Sequence, residues 1–128
     1  MRSPSVATQP EVNSWVLPQD YVEFLSLTNG GEGWIGSNYI ILNRFEELQS
    51  ANQQLSFQEH LPDLFAFGSD GGDELFAFDF GRQPPQIVMV PVIFDAEDVV
   101  VVAGSFREFL ERLEREDITD FLSSSSEE

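Results

Sequence analysis

Apolar positions along this chain fall into two spacings, one helical and one alternating. Leu17, Tyr21, Phe24, Leu25 and Thr28 recur at helical intervals, which predicts a helix opening at Leu17-Pro18. Pro18 suits a first turn, where its missing N–H would have no partner in any case. Asn29-Gly30-Gly31 ends the helix with residues that tolerate the left-handed conformation common after helices. Short strands at 34–35 and 39–42 follow, with Gly36-Ser37-Asn38 as their turn. Asn43, with Glu46 three residues later, reads as the cap of a second helix over about 44–56, to which Phe45, Leu48 and Leu55 give the apolar face.

Beyond residue 60 the period changes to two. Leu-Phe-Ala-Phe occurs twice, at 64–67 and 75–78. In the second copy Phe76, Phe78 and Phe80 share one face, while Leu75, Ala77 and Asp79 share the other. The Gly/Asp-rich stretch 68–74 between the copies is turn chemistry, so a hairpin is predicted. A second hairpin joins 86–94 to 99–103 through Asp95-Ala96-Glu97-Asp98, and its Val-rich strand is expected to be buried on both faces. Pro91 cannot donate to a ladder and places a bulge or an edge in the first of these strands. Ser105, with Glu108 three residues on, caps a last helix whose stripe is Phe106, Phe109, Leu110 and Leu113. Helices and short strands, then hairpins and a closing helix, make the fold class α+β.

Composition narrows the function more than the fold. The chain has 128 residues, the size of one domain able to bury about two-thirds of its unfolded surface. Its 23 acids against 6 basic residues leave a net charge of −17. Nucleic-acid binding, which needs clustered cations on phosphate, and docking on anionic lipid are both disfavoured. All the basic residues are arginine, so lysine nucleophiles and Schiff bases are impossible. Zero Cys removes disulfides, thiolate metal sites and cysteine catalysis, and fits a reducing compartment. With 41% hydrophobic residues and 12 Phe the chain is a globule and not an acidic disordered tail. Residues 1–14 lack a signal-peptide core and no apolar run is long enough to cross a bilayer, so a cytoplasmic protein is expected.

Candidate chemistry is sparse. Asp70, Asp73, Glu74 and Asp79 gather four carboxylates within ten residues. Their spacing does not match an EF-hand, which needs acids at fixed loop positions between two helices. They read first as a structural hairpin loop, second as a partner contact and last as a metal site. Paired-carboxylate hydrolysis needs two acids across a cleft, a distance some pair among 23 meets by chance. His60, the sole imidazole, has no identifiable nucleophile or orienting acid, and neither Gly-rich loop is a phosphate loop. No catalytic, metal or cofactor-binding set is therefore assigned. Trp34, beside three glycines, either covers the core or stands exposed as an interface anchor.

Charge is unevenly spread. On the last helix, Glu108→Arg112 and Glu111→Arg115 have the i,i+4 spacing of local ion pairs. Between Arg44 and Arg82, and again between Arg82 and Arg107, acids stand without a base. The candidate partner-binding set is thus Trp34, Asp70, Asp73, Glu74, Asp79, Asp95, Glu97 and Asp98. An acidic field of this kind steers a basic partner into place, although solubility alone also explains acidity.

Taken in order, Leu17-Pro18 with Tyr21, Phe24 and Leu25, then Asn29-Gly30-Gly31-x-Gly33, Phe67-Gly68-Ser69-Asp70-Gly71-Gly72, Phe78-Asp79, Pro91, and Ser105-Phe106 with Phe109-Leu110 resemble the SUKH superfamily. That superfamily holds yeast cell-wall-synthesis regulators and many bacterial proteins. The resemblance covers about 17–113 and implies a central, mainly antiparallel sheet of about five to six strands flanked by helices, without catalytic activity. It frames a single α+β domain over 15–122, an irregular leader at 1–14 and a solvated tail at 123–128. Bacterial members are regarded as immunity proteins that neutralise polymorphic toxins, often nucleases. The expected partner is a basic toxin domain, met by a free-standing module whose state, monomer or weak dimer, the pattern leaves open. The alternatives are a housekeeping regulatory or assembly module of the same fold and, further off, a carboxylate-dependent hydrolase or metal enzyme.

Overall fold

The predicted helices and strands form where residues are described, with boundaries shifted by up to four residues; residues 92–98, in the second predicted hairpin, lie outside the described residues. The computed structural model describes residues 11–12, 15–55, 61–91 and 99–117. Helix α1 runs Gln19–Leu27, with Pro18 one residue outside it in an extended conformation. Its end is not the left-handed cap expected: Thr28 is extended, and Gly30 turns the chain two residues later at φ +80°. A Cβ on Gly30 would lie 2.8 Å from the Asn43 carbonyl, so glycine is required there on both counts.

Six strands follow in one sheet: β3 (Gly31–Ile35), β4 (Asn38–Leu42), β5 (Leu64–Ser69), β6 (Glu74–Asp79), β7 (Gln86–Pro91) and β8 (Val100–Ala103). Each is antiparallel to its sequence neighbour, so the order is β3-β4-β5-β6-β7-β8. A separate ladder pairs β1 (Glu11–Val12) with β2 (Trp15–Val16), in a stretch partly read as an irregular leader. The fold is α+β: among the described residues one six-stranded sheet and the short β1–β2 ladder stand with three α-helices, α1, α2 (Leu48–Leu55) and α3 (Phe106–Arg115).

The second helix is shorter than its pattern. A 3₁₀ turn at Phe45–Glu47 precedes α2, and the cap expected at Asn43 sits one residue later. The Arg44 N–H donates to Glu47 Oε1 at 3.0 Å, and the Phe45 N–H donates to Asn29 Oδ1 at 2.8 Å, so the segment after α1 supplies the capping group. The start of α3 behaves as expected: Glu108 N–H donates to Ser105 Oγ at 3.1 Å.

One face of the sheet carries the main core. Phe76, Phe78 and Phe80 point into it together, as alternation predicts, and meet Leu17, Tyr21, Leu48, Phe106, Phe109 and Leu113 from the helical side. Phe67 is the hub, with ring centroids 4.6 Å from Phe78, 5.5 Å from Tyr21 and 5.7 Å from both Phe106 and Phe109. A smaller cluster of Leu64, Ala66, Ala77, Val88 and Val90 lies on the opposite face. Strands β5, β6 and β7 are buried on both faces, with Ile87 to Val90 of β7 inaccessible, and the Val-rich β8 is not. Strand β8 is one edge of the sheet, with β3 the other, and leaves Val101 46% exposed. Pro91 ends β7 opposite Glu74, and the irregularity in that region falls at Ile87/Val88 instead.

Two asparagines complete the scaffold. Past Leu42 the chain leaves β5, and α2 fills the gap: Asn52 Nδ2 donates to the Ala66 carbonyl at 2.8 Å while its Oδ1 accepts the Ala66 N–H at 2.7 Å. A primary amide offers the same donor–acceptor pair as a peptide group, so one side chain stands in for a neighbouring strand. Asn38, read as a turn residue, is buried and donates to the carbonyls of Leu113 and Glu116, both at 2.8 Å. It satisfies the orphan acceptors at the end of α3 and fastens that helix to the β3–β4 hairpin.

Candidate protein-binding surface

The two-residue turn between β3 and β4 sets Trp34 directly across from Tyr39. Their rings meet edge to face, with centroids 5.3 Å apart and planes at 72°. Trp34 is 72% exposed, which resolves the choice left by its neighbours in sequence: it does not cover the core. Pairs Trp34/Tyr39 and Glu32/Ile41 project from the sheet face opposite Ile40 and Leu42, which enter the main core. The Tyr39 hydroxyl donates to the Glu32 carboxylate, an acceptor that holds the phenol above its ordinary pKa. The indole is thus braced by a phenol, itself tied to a carboxylate.

The loop after β5 lies beside this pair. A Cβ on Gly71 would stand 3.3 Å from Ile41 Cδ1 and 3.8 Å from Tyr39 Cδ2, so the loop backbone packs along β4. Asp70 holds it closed: its Oδ1 accepts the N–H of Gly72 at 2.8 Å and of Glu74 at 3.2 Å, and Ser69 Oγ accepts that of Gly71 at 3.2 Å. The carboxylate of Asp70 is therefore the organiser of an Asx turn. Asp73 is exposed, and Glu74 is half-buried at the start of β6.

Asp79 does not belong to this group. It sits five residues along β6, about 17 Å away at strand rise. There it shapes the next turn, accepting the Gly81 N–H at 2.9 Å and Arg82 Nε at 3.3 Å. The four carboxylates close in sequence are split between opposite ends of one strand. Asp95, Glu97 and Asp98, like His60, lie outside the described residues. Among the described residues no three His, Cys, Asp or Glu side chains converge as a metal site.

Charge on α3 also differs from its i,i+4 reading. Arg112 pairs with Glu116 instead of Glu108, with Nη2 2.7 Å and Nε 3.1 Å from the two carboxylate oxygens, and donates a third bond to the Val102 carbonyl at 2.6 Å. This fork holds the Glu116 carboxyl below its ordinary pKa. Glu108 is occupied elsewhere, accepting the Gly104 N–H at 2.7 Å. Glu111 and Arg115 do not pair among the described residues. Arg112, expected to offset Glu108, is turned toward the sheet.

Between β3 and α1 runs a groove of about 300 Å³, with Phe24, Ile40 and Leu42 among its walls and Trp34 at its lip. Gly33 lies within its lining, and a Cβ there would meet nothing within 4 Å. Its backbone is not left-handed, so neither conformation nor packing demands a glycine. Tyr39, Glu32 and Gly33 were missed as site residues because Tyr39 and Gly33 are ordinary strand and turn types. Only the cross-strand register, a short turn joining two aromatic positions, carried a signal for Tyr39.

Among the described residues the chain is thus a meandering antiparallel sheet with helices packed on its main core and a braced, exposed aromatic pair on one edge hairpin. Residues 11–112, well over half of the chain, match the SMI1 / KNR4 family (SUKH-1), and the chain belongs to that family. Members of this family are in general non-catalytic. A comparison with curated proteins gives no match. No helix among the described residues is long and apolar enough to cross a membrane.

Proposed function

We propose that this chain is a non-enzymatic immunity-type protein that binds and neutralises a basic toxin domain, such as a nuclease, in the cytoplasm. The observation that carries the reading is Trp34, 72% exposed and braced by Tyr39. An exposed indole held in place is the kind of residue that dominates binding energy at interfaces. Its brace Tyr39 is tied to Glu32, the Asp70 loop packs along Tyr39 and Ile41, and the chain as a whole carries −17. A nuclease presents cations to its phosphate substrate, so a carboxylate-rimmed aromatic anchor suits occlusion of such a cleft.

The test is co-expression with a toxin domain encoded beside this protein, followed by gel filtration at low salt. Rescue of growth and co-elution are expected, with both reduced by Trp34→Ala. A toxin that kills regardless of this protein, or that never co-elutes with it, would refute the reading. A stable complex through Trp34 with a non-toxic cellular protein would assign the regulatory alternative in its place.

A further inference from the structure

A second apolar groove lies between α1 and α3, lined only by those helices and sharing the Phe24 wall with the groove beside β3. Its volume is about 300 Å³, and Phe24, Leu27 and Leu110 form its apolar surface. Leu27 is 87% exposed, the most exposed large apolar side chain among the described residues. Asp20, Glu23, Glu111 and Glu114 rim the groove against a single cation, Arg107. Asp20 Oδ2 accepts the Arg107 backbone N–H at 3.0 Å and so ties the two helices at one end. Neither Glu111 nor Glu114 has an ion-pair partner among the described residues.

Folding leaves Leu27 in water, at a cost in hydration that a bound apolar side chain would recover. The rim identifies what that side chain must be attached to. A second copy of this chain brings another 17 negative charges and is repelled. We propose that the α1/α3 groove docks a basic amphipathic segment of a partner protein. Bulky apolar side chains rest on Phe24, Leu27 and Leu110, while flanking Lys or Arg residues meet Asp20, Glu23, Glu111 and Glu114. Apolar anchors between charged flanks are the common logic of peptide docking on helical surfaces. The groove gives the protein a second attachment point, one that leaves the Trp34 corner free.

The probe is a short fluorescent peptide carrying two leucines one helical turn apart and flanking lysines, titrated onto the full chain and followed by anisotropy and amide NMR shifts. Saturable binding is expected, with shifts on α1 and α3. Leu27→Ser should weaken it about tenfold or more, a loss of roughly 1.4 kcal/mol, while leaving the melting temperature unchanged because Leu27 packs on little. Glu23→Gln with Glu114→Gln should weaken it further and flatten its salt dependence. The proposal is overturned by absence of binding at millimolar peptide. It is equally overturned if Leu27→Ser or a peptide with serines for leucines binds as well, since that is charge attraction without a groove. Shifts confined to β3 and β4 would also overturn it, and would move the site to the Trp34 corner.

Discussion

Two aromatic groups in this protein have nearly the same internal geometry and opposite environments. Tyr21 meets Phe78 and Phe106 at 5.0 Å with planes at 61°, and Trp34 meets Tyr39 at 5.3 Å and 72°. The first set is inaccessible to solvent, whereas Trp34 is 72% exposed. Ring contact is therefore not what buries a side chain. Phe67 and Phe78 stand on interior strands under α1 and α3, while Trp34 stands on edge strand β3, on the sheet face away from the helices. The difference separates a group that stabilises the fold from one that remains available to a partner.

The largest expected effect breaks the buried set alone. Phe67→Ala removes the hub of four ring contacts and should cost about 3–5 kcal/mol of unfolding free energy, measured by urea titration. Asn38→Ala comes next, at about 1–3 kcal/mol, because it orphans two carbonyls at the end of α3. Hydrogen exchange should show α3 opening first in that variant.

Trp34→Ala inverts the pattern. Its stability should stay within about 0.5 kcal/mol of wild type, while partner affinity falls about tenfold or more by calorimetry. A large loss of stability here would erase the distinction between the two aromatic groups. Gly33→Val sharpens it in the other direction. A β-branched residue with free space should leave the melting temperature equal or higher, and because its side chain enters the groove on the helical face, opposite the Trp34 ring, partner affinity should stay unchanged.

The smallest effect is on pH dependence. Arg112 holds the Glu116 carboxyl below its unfolded value, so this contribution is present above about pH 4.3 and is lost as pH falls through the lower folded value. The stability gap between wild type and Arg112→Gln should therefore narrow as acid is added, read from melting curves between about pH 6 and pH 3. A gap that widens would mean that the fork with Glu116 does not form.

Much of this was legible in the chain. Alternation placed Phe76, Phe78 and Phe80 on one face, and the spacing of Phe106, Phe109 and Leu113 placed the last helix above them, because a side chain's face follows directly from local periodicity. The motifs from Leu17-Pro18 to Phe109-Leu110 pointed to the family that the chain matches. What failed were readings that treated nearness in sequence as nearness in space. Asp70 and Asp79 are nine residues apart but close turns at opposite ends of β6, and Arg112 bypasses Glu108 for Glu116 and the Val102 carbonyl. Asn38 is a turn residue by its sequence, and its partners lie on another element, as does the Ala66 peptide group that Asn52 binds.

The sequence by itself determined the elements, their buried faces, the excess of acid and the absence of Lys and Cys, since these depend on residue type and short-range spacing. Only the tertiary structure decided which strand became the edge, and hence that Trp34 faces solvent, that the Asp70 loop lies beside Tyr39, and that α1 and α3 leave Leu27 exposed over a rim of carboxylates. Exposure depends on which elements cover a residue from a distance along the chain, and no local pattern encodes that covering.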